Sequence, residues 1–505
     1  MTPLRIVIAG DGVAAWLAAA ALASALGVKH GAEHGAVQVV SGGDADANPE
    51  AFGLADTTLP WLGERPVRLP DPGDTQIARA GGAFSFGIAL SGWNAPGATW
   101  FHPFGSIGAP LGPVAFHHLA QKLRADGEAV RLANFSMAAL AAQAGRFRRP
   151  GPDPGSVLST CAAAYHLGLA ELTALYRAQA ARAGATAAGG ALAAVERDEQ
   201  GAIGHLATTA GERLEADLYI DATGPAARLA GAAKDDWIDW SALLPADRVL
   251  SVRISDTQPP LPYSHAEATA TGWRRYVPLQ GGGVLDQVCV SAVADEDELA
   301  QSLGAPTDVR RASFSSGRRA RAWRHNCVAL GAAAARIDPV AVSNLQLLRS
   351  GVDRLLALLP AGADAAAERA EYNRRFVAEC DNARDYAVAH YALNGRRGEP
   401  FWEDRLAAGM PDSLAYRIEL YAATGRIALY DDEPLEESAW RCLFDEHGVR
   451  PRRIHPMAAG VAAVDARRHA ERIRAVMIET LRGMPAHAET LAALRSGRNR
   501  IEGNP

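Results

Sequence analysis

The chain is poor in lysine. Only Lys29, Lys122 and Lys234 occur among 51 basic residues, so nearly every cation is an arginine. Cysteine is sparse too: Cys161, Cys289, Cys327, Cys380 and Cys442 are widely scattered and form no CxxC pair. That spacing argues against a zinc site and a disulfide framework, and fits a reducing, cytoplasmic location. No large charge excess exists. A formal charge of −6 gives no reason to expect nucleic acid or an anionic membrane as partner. The longest stretch without charge, Ile6 to Gly27 apart from Asp11, is interrupted by Gly10 and Gly12, which suits neither a membrane span nor a signal peptide. No GxSxG elbow or Walker loop appears. His30 and His34 have i,i+4 spacing around Glu33, but Gly31 makes a solvated loop the better reading, and no metal site is expected. The arginines between Arg310 and Arg324 read as a solvated surface.

What is present begins with LRIVIAGDGVAAW. Leu4, Ile6 and Ile8, with Val7 between them, form the apolar run of a buried parallel strand. Gly10 and Gly12 permit a tight turn, and the alanine-rich stretch from Val13 favours a helix whose first amides would face a pyrophosphate. Ala15 stands where the third glycine of the dinucleotide fingerprint usually sits. VQVV at Val37 to Val40 reads as the second parallel strand. An acidic residue near its end would hold the adenosine ribose; Ser41 and two glycines stand there, with Asp44 the nearest carboxylate.

Further on, the pattern predicts a helix over Phe116–Ala125, a loop over Arg146–Ser156 and an amphipathic helix over Tyr165–Ala183. A hairpin over Ala188–Glu196 and Ile203–Thr208 follows, then a strand ending in a turn at Leu218–Gly224. Residues 247–293 alternate as a sheet, Val328–Gly331 is a short strand, and Asn344–Leu359 a helix stopped by Pro360. From Ala363 onward helical periods dominate. The class is α/β with α+β insertions.

Several segments together resemble the flavin-dependent tryptophan halogenase family. They include GDGVAAW at Gly10–Trp16, GLADTTLP at Gly53–Pro60, and FSFGIALSGWNAPGATWFHPFG at Phe84–Gly105. DLYIDATGP at Asp217–Pro225, ALGAAAARIDPVAVSNLQL at Ala329–Leu347 and NARDYAVAHYALNGRRGEPFW at Asn382–Trp402 continue the match. The resemblance implies an FAD-binding, glutathione-reductase-like fold with an inserted β-sheet substrate module and a helical C-terminal region. Expected bounds are 1–240 for the FAD module, with insertions at about 48–160, and 241–325 for the substrate-module sheet. Residues 326–360 would return to the FAD module, and 361–505 would form the helical substrate side. Cofactor contacts are expected from Gly10, Gly12, Ala15, Trp16, Ser41, Asp56, Thr57, Asp221, Gly224, Gly331, Ala332, Asp338 and Pro339. Phe104, Trp273, Tyr391, Phe401 and Trp402 fall on the substrate side. Taken alone, His102 reads as a core histidine satisfied by backbone, and the Asn382–Trp402 aromatics as a packed helix face. The family also implies a small-molecule substrate, a homodimer and FADH2 from a separate flavin reductase, since no second dinucleotide fingerprint is visible.

Departures from the family pattern shape the functional expectation. A family halogenase makes hypohalous acid at the flavin and uses one lysine to carry or direct it; Ser85 fills that position. The family's WxWxIP reads Trp273, Arg274, Arg275, Tyr276, Val277, Pro278, and the halide-site stretch Glu-Ser-Thr-Gly reads Ala341, Val342, Ser343, Asn344. Ala332 replaces an aspartate expected to hold a cofactor hydroxyl, Ala55 replaces a glycine, and Asp56 replaces a glutamate. Two lost charge-assisted hydrogen bonds, about 1.5–3 kcal/mol each, weaken expected FAD affinity by roughly two to four decades. The leading expectation is a reduced-flavin-dependent oxygenase or oxidase, with Ser85, His102 or Asp56 orienting the substrate. A non-catalytic paralogue binding a small molecule or protein comes second, and a halogenase with a rebuilt site third.

Overall fold

The computed structural model describes residues 4–27, 36–43, 52–60, 69, 72–231, 236–304, 308–360 and 365–497. His30, Glu33, His34, Asp44, Lys29 and Lys234 lie outside them.

Arg5–Ala9 is the buried central strand, in parallel register with Ala36–Ser41 on one side and Leu218–Asp221 on the other. Cys327–Ala329 pairs in parallel beyond Leu218–Asp221, and the hairpin Thr186–Arg197 with Ile203–Thr208 extends the opposite edge of this eight-stranded sheet. The chain turns at Gly10, where a Cβ would lie 2.2 Å from the Ala222 carbonyl oxygen, so no larger residue fits between the first strand and the DATG turn. Helix Val13–Ala25 follows, almost wholly buried. Its alanines let helix Leu169–Arg182 and helix Asn344–Ala357 pack closely on it.

A seven-stranded sheet forms the second layer. It takes Arg310–Ser313, Arg248–Ser255, Gly282–Cys289, Gly272–Leu279, Ser264–Thr269, Gly87–Ser91 and Thr99–Pro103, in that order. A small sheet of Ala55–Thr57, Ala164–Gly168 and Ala83–Ser85 joins the two layers. The chain passes between sheets at Ser85–Gly87: Ser85 pairs with Ala164, whereas Gly87 pairs with Pro103. The C-terminal third is helical, led by Ala366–Ala392.

The helix expected over Tyr165–Ala183 starts later. Ala164–Gly168 is a strand and the helix spans Leu169–Arg182, because strands on both sides supply ladder partners that outweigh the local helical period. Helix Asn344–Ala357 likewise ends short of Leu359. Among the described residues, no helix is long and apolar enough to cross a membrane.

Candidate functional site

At the glycine turn, helix Val13–Ala25 starts at Gly12 with no side-chain cap and no acidic residue in its first turn. Such an end suits an anionic phosphate group. Gly331 (φ +57°) lies against Ala14, and Gly224 (φ +68°) shapes the end of the DATG turn. A narrow cleft lined by Val13, Asp56, Gly331, Ala332, Asn344 and Leu345 leads from this helix end toward the Asp56 strand. The glycine turn and the open helix start thus suit a dinucleotide's pyrophosphate.

Several expected contacts have other work. Asp221 accepts from the amides of Thr223, Leu229 and Ala230 and from the Thr223 hydroxyl, holding the turn after its strand. Trp16 sits under the Arg177 guanidinium, 5.0 Å from its ring centre, while Ala15 is buried in the core. Ser41 donates to Asp11 (3.0 Å), whose carboxylate also takes the Gly42 amide (2.7 Å). Asp11 therefore closes the end of the second strand, where ribose recognition was expected from that strand's own residues.

The Asp56 end of the cleft is dominated by a buried ion cluster. Asp56 lies on strand Ala55–Thr57, and its Oδ1 receives Arg275 (3.1 Å) and the Thr57 amide (2.8 Å). Its Oδ2 receives the Ser343 hydroxyl and the Leu345 amide, both at 3.3 Å. Arg275, from the middle of strand Gly272–Leu279, also binds Asp286 (2.8 Å). Burial pushes the Asp56 carboxyl above its ordinary value, and Arg275 and the two amides pull against that rise. Ser343 is also the N-cap of helix Asn344–Ala357, accepting the Gln346 amide. Asn344 clamps the preceding loop through two hydrogen bonds to Ile337. Thr57 contacts His166 through its hydroxyl (2.9 Å).

Ser85 is fully enclosed, at 0% exposure. Its hydroxyl donates to the Gly87 carbonyl (3.1 Å) and thereby braces the passage between the two sheets. Lys122, the lysine within the described residues, is on helix Phe116–Ala125 paired with Asp126. His102, on strand Thr99–Pro103, is buried, lies 3.3 Å from the Tyr386 hydroxyl and meets Phe104 edge-on. Burial lowers its pKa to about 4, so it is neutral at pH 7. His102 and Phe104 line a small cavity with Leu59, Pro60, Leu435 and Glu436.

Trp273, Tyr391, Phe401 and Trp402 do not line that cavity. Tyr391 stacks on Trp402, Phe401 meets both edge-on, and Trp93 packs against Trp273, Tyr391 and Trp402, forming one aromatic cluster. Tyr391 donates to Asp338 (2.8 Å), beside Pro339; burial raises the Asp338 pKa to about 6. The aromatics are packed as expected, but not on one helix face: Tyr391 lies at the end of helix Ala366–Ala392, whereas Phe401 and Trp402 lie at the start of helix Pro400–Ala407.

Three participants went unnoticed in sequence: Arg275, Asp11 and Glu436. Arg275 carried a signal, because an arginine alternating inward on a core strand needs a carboxylate partner. Glu436 had only the acidic EPLEES run; it is held by the Gly105 amide and Ser438, and burial raises its pKa.

A glycine turn on a central parallel strand, an uncapped helix end and a second sheet across the cleft define an FAD-binding fold of the dinucleotide class. The chain belongs to the tryptophan halogenase family, whose sequence profile matches residues 5–463. Solved relatives include Xcc4156, a flavin-dependent halogenase from Xanthomonas campestris, at 30% identity and TM-score 0.88 over 98% of this chain and 99% of that one. BrvH, a flavin-dependent halogenase from Brevundimonas sp. BAL3, matches at 28% identity and TM-score 0.88 over 97% and 99% of the two chains. The tryptophan 6-halogenase ThaL from Streptomyces albogriseolus is 24% identical over 90% of this chain and 91% of its own length. These relatives are enzymes, and they place this chain in an enzyme superfamily. They point toward halogenation and lend no support to the oxygenase or the non-catalytic expectation.

Proposed function

We propose that the chain is a reduced-flavin-dependent enzyme that oxidises a small electron-rich molecule without a lysine relay. Kinship supports FAD as cofactor and a separate reductase as the source of FADH2. When bound, the flavin supplies reducing equivalents that activate O2. The oxygen-transfer reading balances as substrate, O2 and FADH2 giving hydroxylated substrate, water and FAD.

The observation that carries this reading is the state of the family's lysine position. Ser85 is an enclosed neutral hydroxyl committed to the Gly87 carbonyl, with no amine to capture an oxidised halogen. His102 stays neutral beside Phe104, and Glu436, which lines the same small cavity, is the carboxyl available to hold or move a proton. In this reading the flavin ring takes the Asp56 end of the cleft, which Asp56 and Arg275 keep rigid and charged. FAD affinity is lowered by the alanine at position 332 and by a carboxylate already seated at the ring end.

Halogenation is the other reading, and it is the one that full-length kinship with halogenases favours. It would need halide and a proton in addition, and would release two waters. The test is a reductase-coupled reaction on electron-rich aromatics with and without bromide, read by product mass. A gain of one oxygen, independent of bromide, supports oxygen transfer. Bromide-dependent loss of hydrogen and gain of bromine supports halogenation and overturns the first reading.

A further inference from the structure

We propose that Asp56 is a tethered anion that fills an anion seat at the start of helix Asn344–Ala357 and shuts free halide out of it. The inference rests on the family reading above and deepens it. The seat is not inferred from a helix end alone, because a carboxylate occupies it. Asp56 Oδ2 takes the Ser343 hydroxyl and the Leu345 amide, both at 3.3 Å, while its other oxygen takes the Arg275 guanidinium at 3.1 Å. Three donors from two chain segments, the helix start and the strand of Arg275, thus converge on one buried negative group. A helix amino end and an adjacent guanidinium each favour an anion.

The tether decides the competition. Asp56 is fixed by its strand, with the Thr57 amide binding its Oδ1, so its carboxylate has little freedom to lose. A free halide must displace it and leave a buried carboxylate without those donors, which is costly. A second anion beside it would also meet Asp286, whose carboxylate is bound to the same arginine. Deleting the Asp56 carboxylate removes the plug while leaving Ser343, Leu345 and Arg275 in place. A chloride or bromide ion then has a hydroxyl, an amide and a guanidinium to bind.

The experiment uses the full-length, flavin-free protein and measures no turnover. Chloride-35 NMR line broadening, with bromide as competitor, is compared for the wild type, Asp56→Ala and Asp56→Ala combined with Arg275→Ala. Bromide-soaked crystals locate the ion by anomalous scattering. Expected is saturable chloride binding in Asp56→Ala, at least about tenfold tighter than in wild type. Its bromide peak should fall beside Ser343 and Leu345, and the added Arg275→Ala should abolish it. Asp56→Ser, which keeps a polar group on the strand, serves if the alanine variant does not fold, and should also gain the site. A bromide peak at this seat in the wild type overturns the proposal, as does a folded variant that gains no site. Either result leaves the product-mass test of oxygen transfer untouched.

Discussion

Replacing Ser85 with lysine asks whether this strand can serve a lysine relay at all. Ser85 has no exposure, and its hydroxyl braces Gly87 where the chain leaves one sheet for another. A lysine enclosed there must shed its proton to avoid a buried charge. Bringing its pKa from about 10.4 to below 7 costs about 1.4 kcal/mol per unit, or about 4–5 kcal/mol at pH 7. Overpacking adds about 1–3 kcal/mol, and loss of the Gly87 hydrogen bond about 1 kcal/mol. The sum, about 6–9 kcal/mol, rivals the whole stability of a typical domain. Ser85→Lys is therefore expected to accumulate poorly or to unfold at far lower denaturant, whereas Ser85→Ala loses only about 0.5–1.5 kcal/mol. Urea unfolding of both variants, followed by the reductase-coupled bromide assay, checks this. A lysine variant as stable as wild type that also yields brominated product would refute the reasoning.

Other consequences are equally direct. Arg275→Ala strands Asp56 and Asp286 in the interior and is expected to cost about 3–5 kcal/mol in denaturant melts; a loss below 1 kcal/mol would mean that the cluster is hydrated. Asp338 is raised from 3.8 to about 6 by burial, so its folded form holds a proton that the unfolded chain releases. Its stabilising contribution is present below pH 3.8 and is lost as pH rises through about 6, about 3 kcal/mol in all. The stability of wild type relative to Asp338→Asn should fall by that amount between pH 4 and 7, and a flat difference would contradict it. Ala341 adopts φ +52°, so Ala341→Gly should relieve about 1 kcal/mol of backbone strain in thermal melts, offset in part by glycine's greater unfolded freedom.

Sequence made the parallel core legible because its signals are local. The apolar run Ile6–Ile8 and the spacing of Gly10 and Gly12 specify strand and turn without distant partners. Helix Phe116–Ala125 and the hairpin after Thr186 were legible for the same reason. The Tyr165 strand was not, since its pairing partners come from Ala55–Thr57 and Ala83–Ser85, about a hundred residues away. The site shows the same division. Motif positions identified Ser85, His102 and Ser343 as residues of interest, but their partners are tertiary. Nothing local in WRRYVP says that Arg275 meets Asp56, or that Asp56 meets the amide of Leu345. Asp11 stands out in sequence only as the one charge in an uncharged stretch, yet it closes the end of a strand thirty positions on.

The central claim is that a flavin-binding fold has kept its cofactor while changing what surrounds it. Titrating the purified protein with oxidised and with reduced FAD, followed by absorbance and fluorescence, tests this most directly. Expected is saturable binding of reduced FAD at micromolar concentrations. Absence of binding by either redox form, in protein shown to be folded, would contradict the claim.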